Sequence, residues 1–311
     1  MALDPFLLDY IRRKSSEPRV SDLDVADARA SKAASRMQVW PGAAPCAARD
    51  VEIAMSWGGC AARLYSPQTP GPLPLVAFFH GGGFVVCDLD THDGLAHGIC
   101  GGAGVAVLSV AYRLAPEHPY PAGLEDAVAS VLWAISQAEL LGIDPGRIVL
   151  CGDSAGASLA TAAALRLADA ADAPRLAGLA LCYPVLDRPD AGHSSYAEFA
   201  EGYGLTRRDM QWFWGHYGAG DAAEAVPLRA ADVRRCPPTF IITAECDVLR
   251  DEGEAFAARL FREGVNVSGR RAPGVNHNFL AFSESLPAAG AAMADLCAWI
   301  STRTKLLAPL R

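Results

Sequence analysis

Short apolar runs alternate with amphipathic segments along most of the chain. Residues 75–79 form a compact apolar run, the pattern of a strand that is buried on both faces of a sheet. Further strands are predicted at 51–56, 61–65, 104–110, 147–151, 176–182 and 239–244, and helices at 121–141, 155–168, 252–263 and 288–304. This alternation predicts an α/β fold with a mostly parallel sheet and helices on both faces.

Two segments fall outside this alternation. Residues 1–40 have helical patterning that ends at a Trp-Pro-Gly break, and residues 187–235 are polar and include an aromatic run at 210–217. A long insertion at the carboxyl edge of a parallel sheet is where a cap over a binding site is expected. The alternative is an extra helix that packs against the sheet, with the aromatic residues as ordinary core.

Composition and charge exclude several classes of function. The 311 residues carry a formal net charge of −8, and lysine occurs only at positions 14, 32 and 305. This charge argues against a nucleic-acid partner. The first residues place acids within a short apolar stretch and basic residues after it, the reverse of a secretory signal. No apolar run approaches the length of a membrane span, so no membrane partner is expected. The nine cysteines are scattered, and we expect a cytoplasmic protein with reduced thiols.

The pentapeptide 152–156, Gly-Asp-Ser-Ala-Gly, indicates a nucleophilic serine at Ser154. A sharp strand-to-helix turn gives such a serine strained backbone angles, and glycines on both sides remove steric clashes. The pentapeptide alone is weak evidence in a chain with 29 glycines. Its position between a predicted strand and a predicted helix is the context that the motif requires.

A glycine-rich loop directly after the strand 75–79 is the second candidate motif. It reads His-Gly-Gly-Gly-Phe at 80–84. The backbone N–H groups of Gly81, Gly82 and Gly83, together with that of Ala155, are predicted to bind the oxyanion of a tetrahedral intermediate. A phosphate loop would need a following helix and a Lys-Ser/Thr pair, and neither is evident. His80 is expected to form architectural hydrogen bonds rather than to react.

The order serine, acid, histidine selects the other two catalytic residues. Only His277 follows both Ser154 and a late strand with an acid at its end. Asp247 lies in the loop after the strand 239–244, from which it can orient an imidazole. Asp251 and Glu252 are expected to cap the helix that follows.

No cofactor or metal is expected. His92 and His97 lack the spacing and the acidic partner of a helical metal site. The glycines of 98–104 precede a strand instead of following one, unlike those of a dinucleotide-binding loop.

Together these motifs resemble those of the hormone-sensitive-lipase-like esterases, also called bacterial family IV esterases. The matching segments are 80–84, 112–118, 152–156, 183–184, 212–214 and 247–253. The resemblance implies an α/β-hydrolase fold, a Ser/Asp/His triad, and a cap built from N-terminal helices and the mid-chain insertion. The domains implied are residues 1–45 as the N-terminal part of the cap and 46–311 as the catalytic domain, with 187–235 as the cap insertion.

The resemblance also implies a substrate class, short- to medium-chain acyl esters. Phe84, Trp212 and Asn278 are the predicted substrate-binding residues. The sequence departs from the family pattern at Val248, where proline is usual, and at Asn278, where glycine is usual. Asn278 either crowds the pocket or adds a hydrogen bond, which affects substrate range more than activity. Homodimers are common in this family, and a homodimer stays open for this chain.

Other functions use the same residues. An acyltransferase or an amide or lactone hydrolase requires only a different acceptor or leaving group. A non-catalytic ligand-binding protein on this fold typically lacks the histidine, whereas Ser154, Asp247 and His277 are all present here.

Overall fold

An eight-stranded sheet forms the centre of the structure, a computed structural model that describes residues 2–170 and 174–306. The strands are β1 Cys46–Met55, β2 Gly58–Pro67, β3 Leu73–Phe79, β4 Ala106–Val110, β5 Ile143–Asp153, β6 Leu176–Cys182, β7 Thr239–Cys246 and β8 Val267–Asn276. Their order is β1-β2-β4-β3-β5-β6-β7-β8. β2 is antiparallel to its neighbours β1 and β4. The other neighbouring strands, in the spatial order β4-β3-β5-β6-β7-β8, are parallel to one another.

Helices cover both faces of this sheet. They are α1 Pro5–Lys14, α2 Val25–Ala33, α3 Asp93–Ala103, α4 Ala122–Ser136, α5 Ala138–Leu141, α6 Ala155–Ala168, α7 Ser195–Glu198, α8 Arg207–Tyr217, α9 Arg250–Arg262 and α10 Pro287–Leu306. α4, α6 and α9 pack on one face, and α3 and α10 pack on the other. The predicted α/β-hydrolase fold is confirmed.

The central strand β3 shows why its sequence is a continuous apolar run. Leu75, Ala77 and Phe79 belong to the core beneath α4 and α6, whereas Val76 and Phe78 belong to the core beneath α3 and α10. Alternate side chains of a strand point to opposite faces, so both faces of this strand are buried in apolar surroundings. Each fully buried Leu or Phe contributes about 2 kcal/mol of transfer free energy.

The structure differs from the sequence prediction at two helical segments. The single helix expected at 121–141 is divided at Gln137 into α4 and α5, and α5 ends at Gly142 in a left-handed conformation with φ of +68°. Helix α3 was not predicted, because its sequence contains four glycines. A Cβ atom at Gly94 or Gly101 would overlap backbone atoms of the segment 37–44. The close approach of that segment therefore explains why glycine is used despite its low helix propensity.

The N-terminal segment and residues 187–235 meet above the carboxyl ends of the strands. The Asp4 N–H donates to the Gly274 carbonyl at 2.8 Å, which ties the start of α1 to β8. The Ser21 N–H donates to Asp209 of α8 at 3.3 Å, and Asp22 forms an ion pair with Arg208 at 2.8 Å. Both segments thus lie over the edge of the sheet where β3, β5 and β7 end.

None of the helices in the described ranges combines the length and the apolar character needed to cross a bilayer.

Candidate active site

Ser154 lies at the sharp turn between β5 and α6. Its backbone has φ of +52° and ψ of −120°, a conformation that a non-glycine residue adopts only under constraint. A Cβ atom on Gly152 would overlap the backbone of Gly156, and one on Gly156 would overlap the Phe79 carbonyl. The two glycines are therefore required by the turn itself, as the sequence predicts.

The structure brings the three predicted catalytic residues together. His277 Nε2 lies 3.0 Å from Ser154 Oγ, and His277 Nδ1 lies 2.8 Å from Asp247 Oδ2. The second carboxylate oxygen of Asp247 accepts the Leu249 N–H at 3.0 Å, which holds the carboxylate in place. Both distances from the imidazole are suited to proton transfer from serine to a histidine oriented by an acid. The ring of Tyr183 packs edge-to-face on His277, with centroids 4.9 Å apart.

The glycine loop supplies fewer oxyanion donors than predicted. Gly81 was expected to contribute its N–H, but that group donates to Asp153 Oδ1 at 2.9 Å. The prediction for Gly81 is wrong, because a backbone proton that already has a carboxylate acceptor is not available to a substrate. Within residues 2–170 and 174–306, no protein group accepts the N–H of Gly82, Gly83 or Ala155. These three donors remain for an oxyanion.

His80 forms hydrogen bonds within the protein. Its Nδ1 lies 2.7 Å from the Gly81 carbonyl, and its ring stacks on Tyr112 with centroids 4.5 Å apart. The Tyr112 hydroxyl donates to the His80 carbonyl at 2.8 Å. Burial lowers the pKa of His80 to about 4, so the imidazole is neutral at physiological pH. These contacts fit the architectural role expected from the sequence.

A cavity of about 460 Å³ opens onto Ser154 and His277, a volume typical of small-molecule sites. Its floor is formed by Ser154 and His277 and by Gly82 and Gly83. Residues of α1, α2 and α8 and of the segment between α1 and α2 form much of the remaining lining, among them Ile11, Leu23, Ala28, Met210 and Phe213. The cavity therefore lies between the edge of the sheet and the two segments above it.

Only one of the three predicted substrate-binding residues lines this cavity. Asn278 does, whereas Phe84 and Trp212 do not. Phe84 is buried and stacks on Tyr217 at 3.8 Å, and Trp212 packs against His216. Their rings take part in packing beside the site, which corrects the predicted roles of both residues.

Phe213 lines the cavity but was not predicted from the sequence, although the helical period of α8 could have identified it. Met210, Phe213, Trp214 and Tyr217 are the buried apolar positions of this helix, at spacings of three and four. Trp212 lies off that face, and Phe213 is the aromatic residue that reaches the cavity.

Asn278 occupies the position at which the family pattern has glycine. Its φ is +62°, in the left-handed region that glycine and asparagine tolerate best. Its Oδ1 accepts a long hydrogen bond from the Tyr183 hydroxyl at 3.4 Å. The backbone at this position explains the usual glycine, and the amide adds a polar group to the cavity wall.

Asp251 and Glu252 do not cap α9 as predicted. The residue before that helix, Leu249, makes no side-chain cap. Asp251 instead accepts the Ser195 N–H at 2.8 Å, and Glu252 accepts the Leu186 N–H at 2.8 Å. Both carboxyl groups therefore attach the segment that follows β6 to the first turn of α9.

The described residues near Ser154 include neither a second activated nucleophile nor a metal centre. Cys87 lines the cavity, but burial raises the pKa of its thiol to about 12, which keeps it protonated. Among the described residues, no group of three or more His, Cys, Asp or Glu side chains is placed to hold a metal ion.

Comparisons with known proteins agree with this geometry. A family model described as the α/β hydrolase fold matches residues 76–281. The carboxylic ester hydrolase LipN of Mycobacterium tuberculosis is 39% identical over 74% of this chain, and the match spans 64% of LipN. The ethyl acetate hydrolase of Pseudomonas putida is 38% identical over 70% of each chain. The solved esterase of the archaeon Pyrobaculum calidifontis superposes with a TM-score of 0.88 at 32% identity, covering 99% of this chain and 100% of that one. The chain thus belongs to the hormone-sensitive-lipase-like family of α/β-hydrolase-fold carboxylic ester hydrolases.

Proposed function

We propose that this protein is a serine carboxylesterase that hydrolyses short- to medium-chain acyl esters through an acyl-enzyme. The observation that carries the proposal is the hydrogen-bonded series from Ser154 through His277 to Asp247. Ser154 and His277 lie at the floor of the cavity. Beside them are the N–H groups of Gly82, Gly83 and Ala155, which have no acceptor among the described residues.

Acylation begins when His277 takes the Ser154 proton and the serine oxygen attacks the ester carbonyl. Negative charge then develops on the carbonyl oxygen, where the N–H groups of Gly82, Gly83 and Ala155 stabilise it. Asp247 stabilises the imidazolium and keeps Nε2 directed at the reacting atoms. His277 finally protonates the departing alcohol, and the acyl group remains on Ser154.

Deacylation repeats these steps with water as the nucleophile. Water occupies the place of the alcohol, and it attacks the acyl carbonyl as His277 removes its proton. The tetrahedral intermediate then collapses to the free acid, and His277 returns the proton to the departing Ser154 oxygen. Apart from the ester and water, the groups used in these steps are side chains and backbone N–H groups of this chain.

Residues 1–45 and 187–235 act in this proposal as a cap that encloses the substrate. The ion pair and hydrogen bond that join Ser21 and Asp22 to α8 support this role. A cavity of about 460 Å³ with Leu23, Met210 and Phe213 in its lining fits a short acyl chain. The name of the Pseudomonas relative, an ethyl acetate hydrolase, favours the same class of substrate.

Hydrolysis of p-nitrophenyl esters from acetate to laurate tests the proposal. We expect turnover that is highest for short acyl chains and that falls at least about 10³-fold in Ser154→Ala. Ser158→Ala is the matched control, because Ser158 is a buried serine one turn further along α6 and outside the cavity lining. Equal activity of wild type and Ser154→Ala would contradict the nucleophile. Acyl transfer to added alcohols in place of hydrolysis would contradict the hydrolase.

A further inference from the structure

The residue before the nucleophile carries a buried carboxylate that the mechanism does not use. Asp153 is 2% exposed. Its Oδ1 accepts the Gly81 N–H at 2.9 Å, and its Oδ2 lies 3.4 Å from His92 Nε2. A carboxylate removed from water is costly unless polar partners replace its hydration. In the described part of the chain, Gly81 and His92 are the two partners that hydrogen-bond this side chain.

The surroundings of His92 indicate which of its nitrogens carries a proton. The imidazole is 4% exposed, and its Nδ1 lies 3.0 Å from Thr91 Oγ1. An unprotonated Nε2 would place a lone pair against the Asp153 carboxylate, which is repulsive. Nε2 therefore bears the proton and donates toward Asp153.

Thr91 is itself held in place by Asp88. The Asp88 N–H donates to Thr91 Oγ1 at 2.9 Å, and the Thr91 N–H donates to Asp88 Oδ1 at 2.8 Å. A continuous series of contacts thus leads from the turn before α3, through His92 and Asp153, to Gly81. Networks of this kind restrict the orientation of every member.

Gly81 leads directly into the two loop residues with available N–H groups. A Cβ atom on Gly81 would lie 2.5 Å from Asp153 Oδ2, so the carboxylate packs against the backbone as well as binding it. A peptide held at both its N–H and its Cα has little freedom to rotate. The directions of the following N–H groups, at Gly82 and Gly83, depend on that peptide.

We propose that His92 is a positioning residue for the oxyanion loop. By donating to Asp153 it fixes the carboxylate that anchors Gly81, and the anchored peptide keeps Gly82 and Gly83 directed at the substrate oxyanion. The inference rests on the proposed esterase function but adds a residue outside the triad. His92 does not act as a base, because both of its nitrogens face partners within the protein.

The test compares His92→Leu, which removes the donor, with His92→Gln, which retains a side-chain N–H. Both are measured for kcat, KM and inhibition by a trifluoromethyl ketone, which forms an oxyanion adduct on serine. We expect His92→Leu to lower kcat by about 10- to 100-fold, the effect typical of losing a supporting contact. KM should stay within about 2-fold, and the inhibition constant should rise by a factor similar to the loss of kcat. His92→Gln should recover most of both losses.

The matched control is His97→Leu, the same substitution in the same helical region but outside the cavity lining. It should leave kcat and inhibitor affinity unchanged. If His92→Leu does not fold, Asp153→Asn provides the second variant, since it keeps the size of the side chain and removes its charge. It should show the same selective loss of kcat and inhibitor affinity.

An unchanged inhibition constant in a folded His92→Leu or Asp153→Asn variant would overturn the positioning role. Failure of the proposed function is distinguishable, because wild type itself would then neither turn over esters nor bind the ketone through Ser154.

Discussion

A Cβ atom on Gly83 would overlap the ring of Phe213, so helix α8 lies in direct contact with the oxyanion loop. Gly83 has φ of +59°, and its N–H is one of the donors available to an oxyanion. The position of the loop and the position of the helix above it are therefore linked. A substitution at either residue is expected to affect the site through the other.

Gly83→Ala is expected to lower kcat by about 100-fold, because either the loop or α8 must move and an oxyanion donor is displaced. Removing the ring in the double variant Gly83→Ala/Phe213→Ala should restore part of the activity. Gly104→Ala is the control for backbone strain alone, since Gly104 has φ of +68° and open space around its Cα. Equal losses in the single and double variants, measured as kcat on p-nitrophenyl butyrate, would contradict the steric link.

Asp247→Asn is expected to reduce kcat by about 10⁴-fold while the fold remains intact. The Asp247 carboxylate accepts a hydrogen bond from the His277 Nδ1–H at 2.8 Å. An amide can instead donate to Nδ1, which would place the imidazole proton on Nε2, where the Ser154 hydroxyl needs an acceptor.

The measurement is kcat together with the thermal unfolding midpoint, and Asp190→Asn is the exposed control. A loss smaller than about 10-fold would mean that another acid orients His277.

The sequence predicts that Ser154, Asp247 and His277 lie together, because each of them follows a local pattern. Ser154 lies between a strand and a helix, and Asp247 and His277 each follow a strand of the same parallel sheet. Parallel strands bring their carboxyl ends to one edge, so the order along the chain is sufficient to place all three together.

Features that depend on packing between distant segments were not predictable in the same way. The N–H of Gly81 is occupied by Asp153, 72 residues away, and no local pattern shows this. The glycines of α3 disfavour a helix by propensity. Gly94 and Gly101 are explained by the segment 37–44 that lies against them. The division between α4 and α5 at Gln137 has no glycine or proline to mark it.

His80 is expected to make the stability of the protein depend on pH in the acidic range. Burial lowers its pKa to about 4 from an ordinary value of 6.5, so the unfolded chain binds a proton between these values and the folded chain does not. Stability is therefore lost as pH falls from about 6.5 to about 4, by about 3 kcal/mol from this group.

Urea unfolding of wild type and His80→Gln at pH 4 to 8 isolates the contribution of His80. The carboxylates titrate in both proteins, so their effect on the free energy of unfolding cancels in the comparison. The wild type should lose more stability than the variant over this range. His216→Gln, in a partly exposed position of α8, should follow wild type. Parallel pH profiles for wild type and His80→Gln would contradict the prediction.

Glu252→Gln is expected to stabilise the protein at neutral and alkaline pH. Glu252 is fully buried, and its Oε2 has no hydrogen-bond partner among the described residues. Burial raises the pKa of this carboxyl well above its usual value of 4.5. The folded protein thus retains a proton that the unfolded chain releases above about pH 4.5, and stability falls as pH rises from there. A glutamine has no such cost, and its carbonyl can still accept the Leu186 N–H.

The measurement is the free energy of unfolding of Glu252→Gln minus that of wild type, followed from pH 4 to pH 8. This difference should be small near pH 4 and grow toward pH 8. The control Glu263→Gln, at the exposed end of α9, should show no such growth. A variant less stable than wild type at pH 8 would show that Glu252 is held as a stabilising carboxylate instead.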